Sequence, residues 1–167
     1  LITVTHFLRD IEAWQYLKAE VLPKIVEQGK DTGKIRIWVT ACATGEEAYS
    51  IAILLSELLP KEQSPPIEIK IFATDIDPIA LRKTSQGVYS ADSMKNLTAE
   101  QIERFFTQKK SGFEVSRSLK EMVIFENHNL IKDAVFRKID LVSCRNILRY
   151  LQPALQQQVL HNLHFSL

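Results

Sequence analysis

Glycine is scarce in this chain, five residues in 167, and no three of them stand close enough to form the phosphate-cradling fingerprint of dinucleotide-binding folds. Cysteine is scarcer still. Cys42 and Cys144 cannot build a disulfide framework, neither has a partner at zinc-ligand spacing, and their surroundings suit a reducing cytoplasm. No metal site is therefore expected. A formal charge of +1 gives no electrostatic reason to expect nucleic acid or an anionic membrane as the main partner. Long apolar runs are missing too: Ile51–Leu59 is the longest candidate, and Ser56 and Glu57 interrupt it, so no membrane insertion is expected. The N-terminal LITVTHFLRD has neither the basic start nor the apolar core of a signal peptide. What remains has one-domain length, is 46% apolar and 25% charged, and contains no repeat or low-complexity tract. That is the composition of a globular domain, expected to be cytoplasmic.

Against that background Lys34–Ser50, KIRIWVTACATGEEAYS, stands out. It runs from an apolar strand through a tight loop with one glycine into a helix that opens on Glu46 and Glu47. In open α/β sheets such a turn is where nucleotide-like cofactors bind. Roughly thirty residues on, a second strand, Ile67–Ala73, ends in Thr74-Asp75-Ile76-Asp77; a carboxylate at such a tip accepts hydrogen bonds from ribose hydroxyls. Together the two features suggest an adenosine-containing cofactor. Two glutamates at a helix start disfavour a phosphate there and favour a group that is neutral or cationic at that point.

Around these tips the pattern alternates strand and helix, which predicts a mostly parallel sheet covered by helices. Asp10 is placed to cap a helix reaching about Gln28, with Ile11, Trp14, Leu17, Val21 and Ile25 on one stripe and Pro23 kinking or splitting it. Thr44 with Glu47 reads as a capping box opening a helix to about Leu59. Asp77-Pro78 reads as an N-cap with proline at the first helical position, and Thr98 with Gln101 as a second capping box. Gly112–Ser116 and Lys120–Phe125 have strand character and could form a small hairpin. Ile139–Ser143 is a further apolar strand, and Pro153 opens a last helix with Leu155, Val159 and Leu163 on one face.

Each candidate ligand has a plainer reading beside it. Glu46 and Glu47 could serve only the helix dipole and cap, and Asp75 could serve only as a turn cap. In Asn127-His128-Asn129 an asparagine could meet an adenine edge, but a turn uses one equally well, and His128 is given no role. Arg145, Asn146 and Tyr150 follow the Ile139–Ser143 strand at the carboxyl edge, where the arginine could be purely structural. Thr3, Thr5 and Arg9, read alone, are an ordinary lead-in to a helix. Three successive strand tips with polar residues are harder to attribute to chance than any one of them.

THFLRD (Thr5–Asp10), ACATGEEAYSIAILL (Ala41–Leu55), IFATDIDPIAL (Ile71–Leu81), HNL (His128–Leu130) and DLVSCRNILRYL (Asp140–Leu151) occur in that order. In these motifs the chain resembles the catalytic domain of the CheR-type chemotaxis protein-glutamate O-methyltransferases, most closely the versions fused to CheB-type methylesterase and sensory modules. The resemblance runs from Ile2 to Leu167. It implies a class I, Rossmann-like methyltransferase fold over residues 1–167 with an inserted β-hairpin at about 107–122. It further implies S-adenosylmethionine as cofactor, S-adenosylhomocysteine as product, and glutamates on the cytoplasmic helices of chemoreceptors as the methylated groups. Carried over by position, Thr3, Thr5, Arg9, Glu47, Asp75, Asn129, Leu130, Arg145 and Asn146 match cofactor contacts. Arg9 and Tyr150 match the residues that orient the reacting groups.

The departures are local. The family often has asparagine where Thr3 stands and a second phenylalanine where Leu8 stands, and Arg149 occupies a position that is usually apolar. The resemblance also implies a domain truncated at both ends, lacking the helical domain before Thr5 and the final strand pair after Leu167. The short, single-glycine Thr107–Met122 segment favours direct recognition of a receptor helix bundle over a tethering peptide. Two other readings stay open on the sequence: a non-catalytic cofactor-binding or interaction module, and a nucleotide-dependent oxidoreductase, which the missing glycine fingerprint disfavours.

Overall fold

Residues of the Ile35–Val39 run face two different cores, and that alternation organises the molecule. Ile35, Ile37 and Val39 pack into one apolar cluster and Trp38 into another, so strand β1 (Lys34–Thr40) is covered on both faces as a parallel sheet requires. The computed structural model describes residues 5–60 and 65–167. Among them, β1 pairs in parallel with β2 (Glu68–Asp75) on one side and with β7 (Leu141–Cys144) on the other, while β6 (Val123–Asn127) extends the sheet beyond β2. The order β6-β2-β1-β7 places a topological switch between β1 and β7. At such a switch the chain leaves adjacent strands in opposite directions and opens a crevice at their carboxyl ends.

The larger core lies between the sheet and α2 (Leu22–Thr32), α3 (Glu46–Leu58) and α6 (Arg117–Met122), centred on Leu22, Ile51, Leu55, Ile71 and Leu119. The smaller core joins Trp38 and Ile139 to Val159 and Leu163 of α7 (Pro153–Ser166), with Phe72 stacked on Phe136 at 4.8 Å. Between β2 and β6 come α4 (Pro78–Gln86), β3 (Val88–Tyr89), α5 (Ala99–Phe105), β4 (Phe106–Lys109) and β5 (Gly112–Val115). The three strands of that group, in the order β3-β5-β4, form a separate antiparallel sheet.

Several expected boundaries hold and others move. The helix interrupted by Pro23 is α1 (Ile11–Tyr16), a π-helical turn Leu17–Val21, and α2. Pro23 has no N–H for the carbonyl of Ala19 and crowds it, and the wider turn just ahead accommodates both problems. Asp77 accepts from the Ile79 N–H ahead of Pro78, and Thr98 with Gln101 makes the full reciprocal capping box. The Thr44–Glu47 capping box does not form. Gly45 in the left-handed region is the N-cap of α3, Thr44 Oγ1 donates to Glu46, and Glu47 turns to β7. Asp10 likewise precedes α1 without capping it; its φ is 64° and its carboxylate accepts from Arg145 instead. The hairpin is also displaced: Phe106–Lys109 pairs with Gly112–Val115. Residues 117–122 form α6, helped by an i,i+4 Arg117–Glu121 pair, and Val123–Asn127 joins the main sheet.

Candidate cofactor site

The loop after β1 is wound tightly by alternate left-handed residues: Ala41 (φ 51°), Ala43 (φ 48°) and Gly45 (φ 90°). Only glycine suits the last position, because a Cβ there would lie 3.0 Å from the Phe125 ring and 3.1 Å from Thr84 Cγ2. Backbone strain at Ala41 and Ala43 persists because neighbours over-determine it. Cys42 N donates to Thr74 O at 2.9 Å, Ala43 N donates to Asp75 Oδ2 at 2.8 Å, and Tyr89 Oη from β3 donates to Thr44 O at 2.8 Å. The other oxygen of Asp75 accepts from Asp77 N at 2.9 Å. Asp75 thus joins the β1 and β2 tips, and each carboxylate oxygen keeps a second acceptor site.

The two glutamates behave differently. Glu46 is buried at 4% exposure, and its carboxylate accepts from Thr44 Oγ1 at 2.7 Å. Glu47 is half-buried and accepts from Ser143 Oγ of β7 at 2.5 Å. Burial pushes both carboxyls above their ordinary pKa. For Glu47 the Ser143 bond and the positive charges of Arg145 and Arg9 act in the opposite direction. The N-terminal end of α3 is therefore a desolvated acidic spot, suited to a cation.

A strained segment crosses beside it. Phe7 is fully buried against Tyr89 and Phe106, each ring edge-on, and its N–H donates to Ser93 O. Leu8 (φ 49°) donates its N–H to Ser50 Oγ and accepts at its carbonyl from Asn96 Nδ2. Arg9 O accepts from Trp14 Nε1 at 2.6 Å and from Arg145 Nη2 at 2.9 Å. These anchors hold Arg9 where its charge acts on Glu47. Thr5 is half-buried at the start of this segment, and Thr3 lies outside the described residues.

The structure ties Arg145 to the Arg9 backbone, Glu47 to Ser143 two residues before Arg145, and Asp75 to the loop that precedes Glu47. At the β6 tip Asn127 Nδ2 donates to the carbonyls of Asp75 and Ile76. Asn129 uses Oδ1 to accept from the N–H groups of Ile131 and Lys132, and Leu130 packs into the smaller core. His128 is buried edge-on to Trp38, with Nε2 3.0 Å from Ala134 O. Beyond β7, Asn146 (φ 64°) accepts at Oδ1 from Arg149 Nη2 at 2.7 Å; the residue that departs from the usual apolar type fastens this turn. Tyr150, 57% exposed, ends a 3-10 turn Leu148–Tyr150 with the Arg149 guanidinium 5.9 Å above its ring. Among the described residues no group of three His, Cys, Asp or Glu side chains could hold a metal ion.

Comparison with known proteins decides the family. The family model described as CheR methyltransferase, SAM binding domain, matches residues 3–167. The chain belongs to that family. A 104.1 kDa uncharacterized protein in the hypE 3' region of Rhodobacter capsulatus is 34% identical over 166 residues, covering 99% of this chain and 17% of that protein. The putative methyltransferase Cher3 of Pseudomonas putida is 34% identical over 174 residues, covering 99% of this chain and 60% of its own. The chemotaxis protein methyltransferase 2 of Vibrio cholerae is 36% identical over 153 residues, covering 89% and 52%. The chain thus spans 60% or less of each of these relatives.

The fold is the class I methyltransferase type and the cofactor is S-adenosylmethionine. The donor set fits that molecule. Its methionine end carries an ammonium and a sulfonium, and the first turn of α3 offers the carboxyls of Glu46 and Glu47, with a single glycine and no phosphate cradle in the loop before them. Sequence reasoning missed Ser143, Ser50, Asn96, Tyr89, Trp14 and the carboxylate of Asp10 as supports of the site. Only Ser143, a hydroxyl beside the carboxyl end of an apolar strand, carried a signal that could have marked it.

Proposed function

We propose that this domain transfers the methyl group of S-adenosylmethionine to glutamate side chains on the cytoplasmic helices of chemoreceptors, giving glutamate methyl esters. The observation that carries the reading is the joining of three chain segments at the switch between β1 and β7: Ser143 of β7 donates to Glu47 at the start of α3, and Arg145 beyond β7 donates to the carbonyl of Arg9. Glu47 takes the ammonium end of the cofactor and Asp75 the ribose hydroxyls. Asn129, through the amide nitrogen its turn does not use, and Leu130 meet the adenine. Thr3, Thr5 and Asn146 close the rim.

A substrate glutamate, with an unperturbed pKa of about 4.3, is already an anion at neutral pH and needs no general base. When bound, the cofactor supplies a methyl group activated by its own sulfonium. What the chain must do is align and desolvate. Arg9 orients the incoming carboxylate, and Tyr150, on an exposed turn, donates a hydrogen bond that fixes the line of approach. The β3-β5-β4 sheet is the element that meets the receptor bundle directly.

Transfer of labelled methyl to receptor-containing membranes, recovered as base-labile ester, tests the reading. Arg9→Ala and Tyr150→Phe are expected to lower kcat by about a hundredfold, the scale of lost alignment, while binding of S-adenosylhomocysteine persists. Full transfer by both variants would remove these roles. Binding of S-adenosylhomocysteine without any transfer by the wild type would leave a cofactor-binding module.

A further inference from the structure

Arg145 is engaged by the chain's own N-terminal segment. Its Nη2 donates to two acceptors, Arg9 O at 2.9 Å and Asp10 Oδ2 at 2.6 Å. Its guanidinium carbon lies 5.2 Å from the centroid of the Trp14 ring, and the same Trp14 donates through Nε1 to Arg9 O at 2.6 Å. The carbonyl of Arg9 thus receives two donors from residues that touch each other. The segment they fix has left-handed backbone at Leu8 and Asp10, and Asp10 turns its carboxylate to Arg145 rather than to the helix it precedes.

A salt bridge alone does not account for this. Asp10 is 62% exposed while Arg145 is 23% exposed, so the ion pair is wet at one end and weak in isolation. The charge-assisted bond to a peptide carbonyl, backed by the indole, fixes position. The carbonyl so fixed belongs to the residue whose side chain orients the substrate.

We propose that Arg145 is a positioning residue: with Trp14 and Asp10 it clamps the backbone of Arg9 and thereby sets where the Arg9 guanidinium stands relative to Glu47. The inference rests on the methyltransferase reading. It assigns Arg145 an action through Arg9, where the family resemblance would make it a direct cofactor contact.

Arg145→Lys keeps the charge but loses the planar guanidinium that lies over the Trp14 ring while its Nη2 meets both acceptors, and Asp10→Asn keeps an oxygen acceptor at an exposed position but removes its charge. Three quantities are read on the full chain: kcat for methyl transfer, the Kd for S-adenosylhomocysteine, and hydrogen exchange of the segment 7–13. For Arg145→Lys, kcat is expected to fall by about tenfold to a hundredfold, as for a misplaced orienting group, with Kd within about twofold of wild type. Exchange across 7–13 accelerates by about tenfold or more as the local opening equilibrium shifts. Asp10→Asn changes all three in the same sense by less, and the double variant is no worse than Arg145→Lys, because the residues act as one unit.

A tenfold rise in Kd with kcat at saturation unchanged would make Arg145 a cofactor ligand and overturn the proposal. Unchanged exchange would overturn it as well. Should Arg145→Lys fail to fold, Asp10→Asn alone separates the same two outcomes. A wild-type chain that transfers no methyl overturns the catalytic reading, and the positioning role with it. Faster exchange in the variants would then mark the clamp as purely structural.

Discussion

Ser143 and Glu47 face each other across 96 positions of sequence, and their contact sets the character of the site. A carboxyl removed from water needs donors, and Glu47 has one hydroxyl and two nearby arginine charges; burial still leaves its pKa above the ordinary 4.5. The folded, unliganded domain therefore holds more protons at Glu46 and Glu47 than the unfolded chain does between pH 4.5 and the raised values. The two groups thus make stability fall as pH rises through that window. A cation bound against the carboxylates reverses the preference, so binding should expel protons and affinity should climb with pH there. Titration calorimetry with S-adenosylhomocysteine in two buffers of different ionisation enthalpy, near pH 5, should show proton release that shrinks in Glu47→Gln. Equal release from both proteins would remove Glu47 from the ammonium site. Glu47 and Asp75 drew notice in the sequence because they follow successive strands of an α/β pattern, although capping offers each a plainer use. Ser143 carried a fainter signal, a hydroxyl near the end of an apolar strand, and only the β1–β7 pairing brings it within reach of Glu47.

Among the elements, the two apparent capping boxes make an instructive pair. Thr98 and Gln101 form theirs because Gln101 reaches Glu57 through its amide nitrogen and keeps its oxygen for the cap. Thr44 and Glu47 have the same spacing, but the left-handed turns at Ala41, Ala43 and Gly45 carry the chain into α3 one residue later, and Ser143 draws Glu47 away. Spacing alone cannot report such a competition. Thr98→Ala should therefore lower stability by about 1 kcal/mol in denaturant melts, the usual loss for a cap. Thr44→Ala should cost less and act chiefly on Glu46. Gly45→Ala should cost more than either, about 1–3 kcal/mol, since it combines an unfavourable φ with contact on the Phe125 ring. If Thr44→Ala proves the most damaging of the three, the structural assignment of the N-cap is wrong. The displaced hairpin has a comparable cause. Lys120–Phe125 mixes helical and extended preferences, and the main sheet claims only its apolar end from Val123 onward.

At the level of the whole molecule, the alternation of strands with helices along the chain was enough to predict a mostly parallel sheet covered by helices. The residues that close the second face, Phe72, Phe136, Val159 and Leu163, come from distant parts of the chain. Leu163 is 6% exposed on α7 and should be damaging to truncate: Leu163→Ala is expected to cost about 2–5 kcal/mol in equilibrium unfolding. Because Leu163 shares its core with Leu130, the proposed adenine contact, and Asn162 of the same helix donates to the Leu130 carbonyl, S-adenosylhomocysteine affinity should weaken along with stability. Unchanged affinity in the folded variant would mean that Leu130 does not meet the adenine. The strand order itself was not readable from local pattern. It depends on β7 crossing back beside β1, and that return creates the crevice.

Asp75 is also a fastener between two loops. Its carboxylate already grips the backbone of Ala43 and Asp77 while leaving acceptor capacity for sugar hydroxyls. A ligand arriving here meets a socket whose walls are joined to each other beforehand. Little ordering entropy is left for it to supply, and the encounter should proceed in one kinetic phase with a rate proportional to concentration. If the proposed methyl transfer holds, spent cofactor must be exchanged for fresh at every turnover, and such a ready-made seat leaves exchange limited by departure rather than by arrival.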